Sequence, residues 1–321
     1  MGSLRRIDSH FHYIPKFWVD AALEAGILPT SGKFPEWSPE RGVELMDAND
    51  VATAIASLSI PGIQFLSPEK AKNIARRCNE YSAEICDRWK GRYGGLATVP
   101  MQDTKIAFDE IVYALDVLKL DGVCLFTSYG DNYLGDAVFD PILAELNNRR
   151  AVVFVHPALP VKPKLPYPGA LLEYPTDTAR MATHLMFSGA LDRYPGIRFI
   201  LSHAGGTLPY LAWRLYSCQM ATPTIPHWSY EQVCAAMRRF WYDTAMSVGA
   251  ATLNCLMSIV GPERVVFGSD WPYMNDKAYD IQGKGLAAPG LLTDAQAIAI
   301  ARGNASSLFP RFADARATVS A

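Results

Sequence analysis

The sequence predicts a parallel α/β fold, a (β/α)8 TIM barrel, and three observations carry that prediction. Short β-branched and apolar runs recur along the chain, amphipathic stretches of helical period separate them, and eight such runs fit a chain of 321 residues, somewhat longer than the roughly 250 usual for a barrel. The runs are RRIDSH (5–10), VATAIASL (51–58), GGLATVP (94–100), DGVCLFT (121–127), AVVFVH (151–156), IRFILSH (197–203), FWYDTA (240–245) and RVVFGSD (264–270). Several are apolar at both alternating positions, as strands covered on both faces must be. The stretches 69–90, 104–119, 136–149, 176–193, 205–219, 230–239 and 247–259 carry the spacing of crossover helices. The surplus length falls in 13–42 after the first strand, in the proline-rich PALPVKPKLPYPG (157–169) after the fifth, and beyond 271. All three insertions follow strand ends, where barrels build their sites. With no internal repeat or linker composition, residues 1–321 read as a single barrel domain.

Composition narrows the partners. Half the residues are hydrophobic, 19% are charged and the formal net charge is −2, with no run of like charges, which argues against nucleic acid and anionic membrane surfaces and for a small substrate. Six cysteines without C-x-x-C spacing read as free thiols. No stretch of 18 apolar residues and no charged-then-apolar leader is present, so a cytoplasmic location is the expectation.

The chemistry gathers at strand ends. Of six histidines, His10 closes the first predicted strand, His12 follows it, His156 closes the fifth and His203 the sixth, while Asp270 closes the eighth. Side chains two residues apart on a strand share a face, so the pair in SHFH forms a chelate, and a barrel brings all its C-terminal strand ends to one rim. Imidazoles with one carboxylate suit a borderline divalent cation, and three histidines plus an aspartate with an open position describe a catalytic site. His184, mid-helix, and His227, in a polar loop, lack this placement. Aromatic residues crowd the same rim and suit a flat ring; Phe11 and Trp271, which flank candidate ligands, are expected as walls of the substrate pocket.

DSHFH, HPALP, SHAGG and FGSDWP, in that order on strands one, five, six and eight, resemble the amidohydrolase superfamily, and more narrowly its metal-dependent, non-oxidative decarboxylase branch, which includes 2-amino-3-carboxymuconate-6-semialdehyde and γ-resorcylate decarboxylases. The resemblance implies that His10, His12, His156 and Asp270 ligate one metal, zinc first and manganese as the alternative, without an organic cofactor. It makes His203 an acid/base rather than a ligand; hydrolytic members of the superfamily use that histidine on the metal instead. CLFTSYG (124–130) offers no bridging lysine, so the implied centre is mononuclear. Asp270 is the expected proton donor to carbon and His203 its partner, with the reverse assignment open.

Two positions depart from the branch. The resorcylate type carries a glutamate three residues after the strand-six histidine, where this chain has Gly206, and the semialdehyde type an arginine in the first insertion, where 13–36 holds only Lys16 and Lys33 as basic residues. Arg214 stands eleven residues after His203, where the branch places an arginine that reaches the neighbouring subunit's site, which implies a homodimer or homotetramer. LFTSYGDNYLG (125–135), EYPTDTAR (173–180) and SHAGGTLPYL (202–211) are similar to members that decarboxylate 6-methylsalicylate, so the implied substrate is an ortho-hydroxybenzoate, with m-cresol and CO2 as products. The competing readings are a lactone or amide hydrolase on the same ligands and a barrel that only binds.

Overall fold

The computed structural model describes residues 4–29, 32–158 and 167–313. Eight parallel strands follow one another around a barrel: β1 Arg6–Tyr13, β2 Val51–Leu58, β3 Tyr93–Thr98, β4 Gly122–Phe126, β5 Val152–His156, β6 Arg198–Leu201, β7 Trp241–Asp243 and β8 Val265–Val266. Each pairs with the next in the chain. The seam between β8 and β1 is closed by single bonds: the Ser9 N–H donates to the Phe267 carbonyl at 2.9 Å and the His12 N–H to the Trp271 carbonyl at 2.8 Å. The predicted barrel is the observed one.

The last three predicted strands stop early. The ladders end at Leu201, Asp243 and Val266, and His203, Ala204 and Asp270 stand beyond them with φ of 54°, 56° and 64°. A left-handed residue cannot continue an extended strand, so the chain turns where the polar residues begin.

Helices lie where the periodicity places them, with breaks that have local causes. The stretch 69–90 forms Pro68–Arg88, with its proline in the first turn, where no N–H is needed. The stretch 176–193 is divided at Gly189, whose φ of 75° ends Glu173–Phe187 before Ala190–Arg193 starts. Of 205–219 only Ala212–Cys218 is α-helical. The first insertion holds helix Lys16–Glu24, and Ser38 caps the crossover helix Pro39–Ala48 by accepting from the Arg41 N–H. The second insertion, 157–169, lies largely outside the described residues. A small antiparallel hairpin, Ser128–Tyr129 with Asn132–Tyr133, follows β4; it is too short for a strand pattern to register, and Gly130 supplies the left-handed residue of its turn.

Apolar residues fill the barrel below the rim. Ile7, Ile55, Leu96, Phe154, Ile200 and Val266 occupy its interior, and Leu308, Phe309 and Phe312 from the tail plug its N-terminal end. Two larger clusters pack the strands against the helices. Polar chemistry is thereby left to the C-terminal mouth.

Candidate metal centre

A β-bulge aims the first two candidate ligands. Between Asp8 and Phe11 the register of β1 against β2 slips by one residue, so Ile7 and His10, three apart, both face the barrel interior. His10 stacks edge-on to the interior Phe154, ring centroids 4.8 Å apart. His12 then shares the face of His10 by simple alternation.

His10, His12, His156 and Asp270 are all buried, and one ligand atom from each lies within 4.8 Å of the others. His10 Nε2 is 3.1 Å from His12 Nε2, and Asp270 Oδ1 lies 3.3 Å from His10 Nε2 and 3.0 Å from His12 Nε2. Each imidazole has its Nδ1 engaged elsewhere: His10 on Asp243 Oδ2 at 2.7 Å, His12 on Ser57 Oγ at 3.1 Å, and His156 on the Pro157 carbonyl at 3.0 Å. Donation from Nδ1 would leave Nε2 as the lone pair of each ring once it is neutral, the tautomer a metal requires. Donors held about 2.0–2.1 Å from a tetrahedral cation stand roughly 3.3 Å apart, close to the three spacings among His10, His12 and Asp270. The donor set is one that could hold a divalent metal.

The electrostatics point the same way. Burial pushes His12 and His156 below the usual histidine range, keeping them neutral. Burial also disfavours charge on His10, but the Asp243 and Asp270 carboxylates outweigh it and raise its pKa to about 10. Burial would raise Asp270, yet the charge of His10 and the close contacts of its oxygens with His10, His12 and His203 hold it well below the usual carboxylate range. Two carboxylates against one histidine cluster ask for a positive charge in their midst.

His203 stands beside this group, its Nε2 3.4 Å from Asp270 Oδ2, so Asp270 turns one oxygen to the ligand cluster and the other to His203. Together with His156 they face a cavity of about 210 Å³ walled by Ser59, Ile60, Tyr174, Met246 and Tyr273 among others. Phe11 and Trp271 do not line it, contrary to expectation. They pack against each other, centroids 4.9 Å apart, in the layer between strands and helices. Alternation explains Phe11: a residue between two inward histidines faces outward. Arg214 is exposed on helix Ala212–Cys218, His227 is exposed, and His184 pairs with Asp136 at 2.8 Å away from the rim.

Three supporting residues escaped the sequence reading. Asp243 holds His10, Ser57 holds His12, and Asp8 accepts from the Tyr279 hydroxyl at 2.8 Å and the Ser269 N–H at 3.1 Å, fixing the chain next to Asp270. Burial raises the Asp8 carboxyl to about 6, against those hydrogen bonds. The available signal was a carboxylate inside an otherwise apolar strand, in RIDSH and in FWYDTA.

Gly206 also finds its reason here. A Cβ at that position would lie 1.9 Å from the Pro175 carbonyl oxygen, and its φ is 63°, so the glutamate of the resorcylate pattern has no room.

Residues 7–311 match the amidohydrolase family model, and the chain belongs to that family. Within it, the chain is 42% identical over 277 residues to the 6-methylsalicylic acid decarboxylase of Penicillium expansum, a match covering 84% of this chain and 85% of that one. It is 38% identical over 329 residues to the 6-methylsalicylic acid decarboxylase of Aspergillus aculeatus, covering 97% and 98%. Among solved structures, a dihydroxybenzoic acid decarboxylase from Polaromonas, with bound manganese and the inhibitor 2-nitroresorcinol, superposes with a TM-score of 0.80 at 25% identity, covering 95% of this chain and 96% of that one.

Proposed function

We propose that this chain is a metal-dependent, non-oxidative decarboxylase of an ortho-hydroxybenzoate, with 6-methylsalicylate as substrate and m-cresol and CO2 as products. The observation that carries the reading is a four-donor cluster whose carboxylate also engages His203, set at the floor of a mostly apolar cavity in a chain similar to 6-methylsalicylic acid decarboxylases. His10, His12, His156 and Asp270 would hold one metal. Zinc is the first assignment on donor type, and manganese, present in the Polaromonas structure, is the alternative. When bound, the cation supplies Lewis acidity that favours the ionised phenol of the substrate.

The chain's own residues then handle the proton. Loss of CO2 from an aromatic acid leaves an aryl carbanion unless the carboxylated carbon is protonated first; once it is, the C–C bond breaks and its electron pair restores the ring. Asp270, held well below the usual carboxylate range, has no proton to give near neutrality, so we assign the proton to His203, with Asp270 Oδ2 as the acceptor that orients it. This reverses the order of preference expected from sequence. Ile60, Met246 and Met274 offer apolar surface to the ring and keep water from it.

We further propose that residues 1–321 act as one barrel unit in a homodimer or homotetramer, with Arg214 reaching the neighbouring subunit's site. Its exposure, beside exposed Tyr210 and Trp213, supports that placement. Six unbonded cysteines support a reducing, cytoplasmic setting, and among the described residues no helix is long and apolar enough to cross a membrane.

The test combines metal content with product analysis on 6-methylsalicylate. About one metal per chain together with m-cresol and CO2 is the expected result for a mononuclear site. Metal without decarboxylation across a panel of ortho-hydroxybenzoates would overturn it in favour of a lactone or amide hydrolase.

A further inference from the structure

We propose that Asp243 is a positioning residue that sets the metal site and the proton donor at once, an inference that rests on the decarboxylase reading. The side chain is wholly buried at the end of β7 and its two oxygens have different tasks. Oδ2 accepts from His10 Nδ1 at 2.7 Å. Oδ1 accepts from the backbone N–H of His203 and from that of Ala245, each at 2.9 Å. One carboxylate therefore fixes the tautomer of a ligand and the main chain of the acid/base.

The second task matters because of how His203 is held. From His203 to Gly206 four consecutive residues have positive φ: 54°, 56°, 72° and 63°. For His203 and Ala204 this region costs about 1–3 kcal/mol each and persists only where neighbours over-determine it. The Asp243 bond to the His203 N–H is one such restraint, and the Gly206 N–H, donating to the His203 carbonyl at 2.9 Å, is another. With no side chain at 205 or 206, the orientation of His203 falls to residues outside its own loop. Room for Asp243 is made just past β8: a Cβ at Gly268 would lie 2.8 Å from His10 Cβ and 2.9 Å from Asp243 Cβ.

The two tasks separate by substitution. In Asp243→Asn the side-chain oxygen is claimed by the two backbone N–H donors, so the amide NH2 faces His10 Nδ1. His10 must then accept at Nδ1 and carry its proton on Nε2, the nitrogen that faces the metal. Asp243→Ala removes both restraints.

Affinities for Zn²⁺ and for Mn²⁺, by competition with a chromogenic chelator, and kcat at saturating metal would be measured for parent and both variants. The expected result is a metal affinity lower by about 10–100-fold in Asp243→Asn, with metal-saturated kcat about tenfold or more lower in Asp243→Ala than in Asp243→Asn. A role confined to stability would move only the melting temperature. Parent-like affinity in Asp243→Asn, or equal metal-saturated kcat in the two variants, would overturn the inference. Should Asp243→Ala fail to fold, the near-isosteric Asn variant decides through metal affinity alone. The same readout decides in a parent that binds metal but does not decarboxylate, which would sink only the function; a parent that binds neither ion overturns both.

Discussion

At the scale of single residues, the rim divides into groups that would hold a cation and a group that would move a proton, and substitution tells them apart. His156 has Nδ1 committed to the Pro157 carbonyl and Nε2 free for the centre. His156→Ala should release the metal, by elemental analysis, and abolish turnover; a metal-replete, active variant would remove it from the ligand set. His203→Asn should keep the metal while lowering kcat by about 10²–10⁴-fold, the range for a lost general acid. Metal loss in that variant would instead place His203 on the cation. Residues with both a strand-end position and an unusual type are legible in the sequence, which is why it points to the four groups that the fold clusters and to His203 beside them. Phe11 and Trp271 neighbour candidate ligands in sequence but not in space, since they pack against each other outside the cavity. Asp243, Ser57 and Asp8 were missed because each acts through a backbone or imidazole partner that only the folded chain supplies.

At the scale of elements, the strands and crossover helices follow from hydrophobic period, and the departures come from single conformations that period cannot encode. The bulge in β1 is the clearest case: a perfect alternation from Ile7 would turn both histidines out of the barrel, and one extra residue turns them in. The hairpin after β4 gains its stability from outside itself, since Thr127 and Tyr133 both donate to Asp177 of helix Glu173–Phe187, the Tyr133 bond being 2.6 Å. The left-handed run after β6 gives a direct test. Gly206→Ala would force a Cβ against the Pro175 carbonyl oxygen at a φ of 63°, and should destabilise the protein by about 2–4 kcal/mol in urea unfolding. A change under about 0.5 kcal/mol, the size of an ordinary surface substitution, would show that the loop has room after all.

At the scale of the whole molecule, an apolar barrel plugged at one end leaves the other end to carry charge, and a bound cation should stabilise everything tied to it. Removal of metal by a chelator should lower the melting temperature by about 4–6 °C, as expected for a ligand present at 100–1,000 times its dissociation constant. An unchanged midpoint with full metal loss would mean that the site folds independently of its ion. The seam of the barrel has a temporal consequence as well. His12 and Asp270 meet across 258 positions of chain. The carboxylate that would complete the quartet leaves the ribosome only after the 258 further positions that separate Asp270 from His12 have been made. Loading with an ion would thus wait for the eighth strand, and a chain arrested before it would carry the imidazoles without the carboxylate.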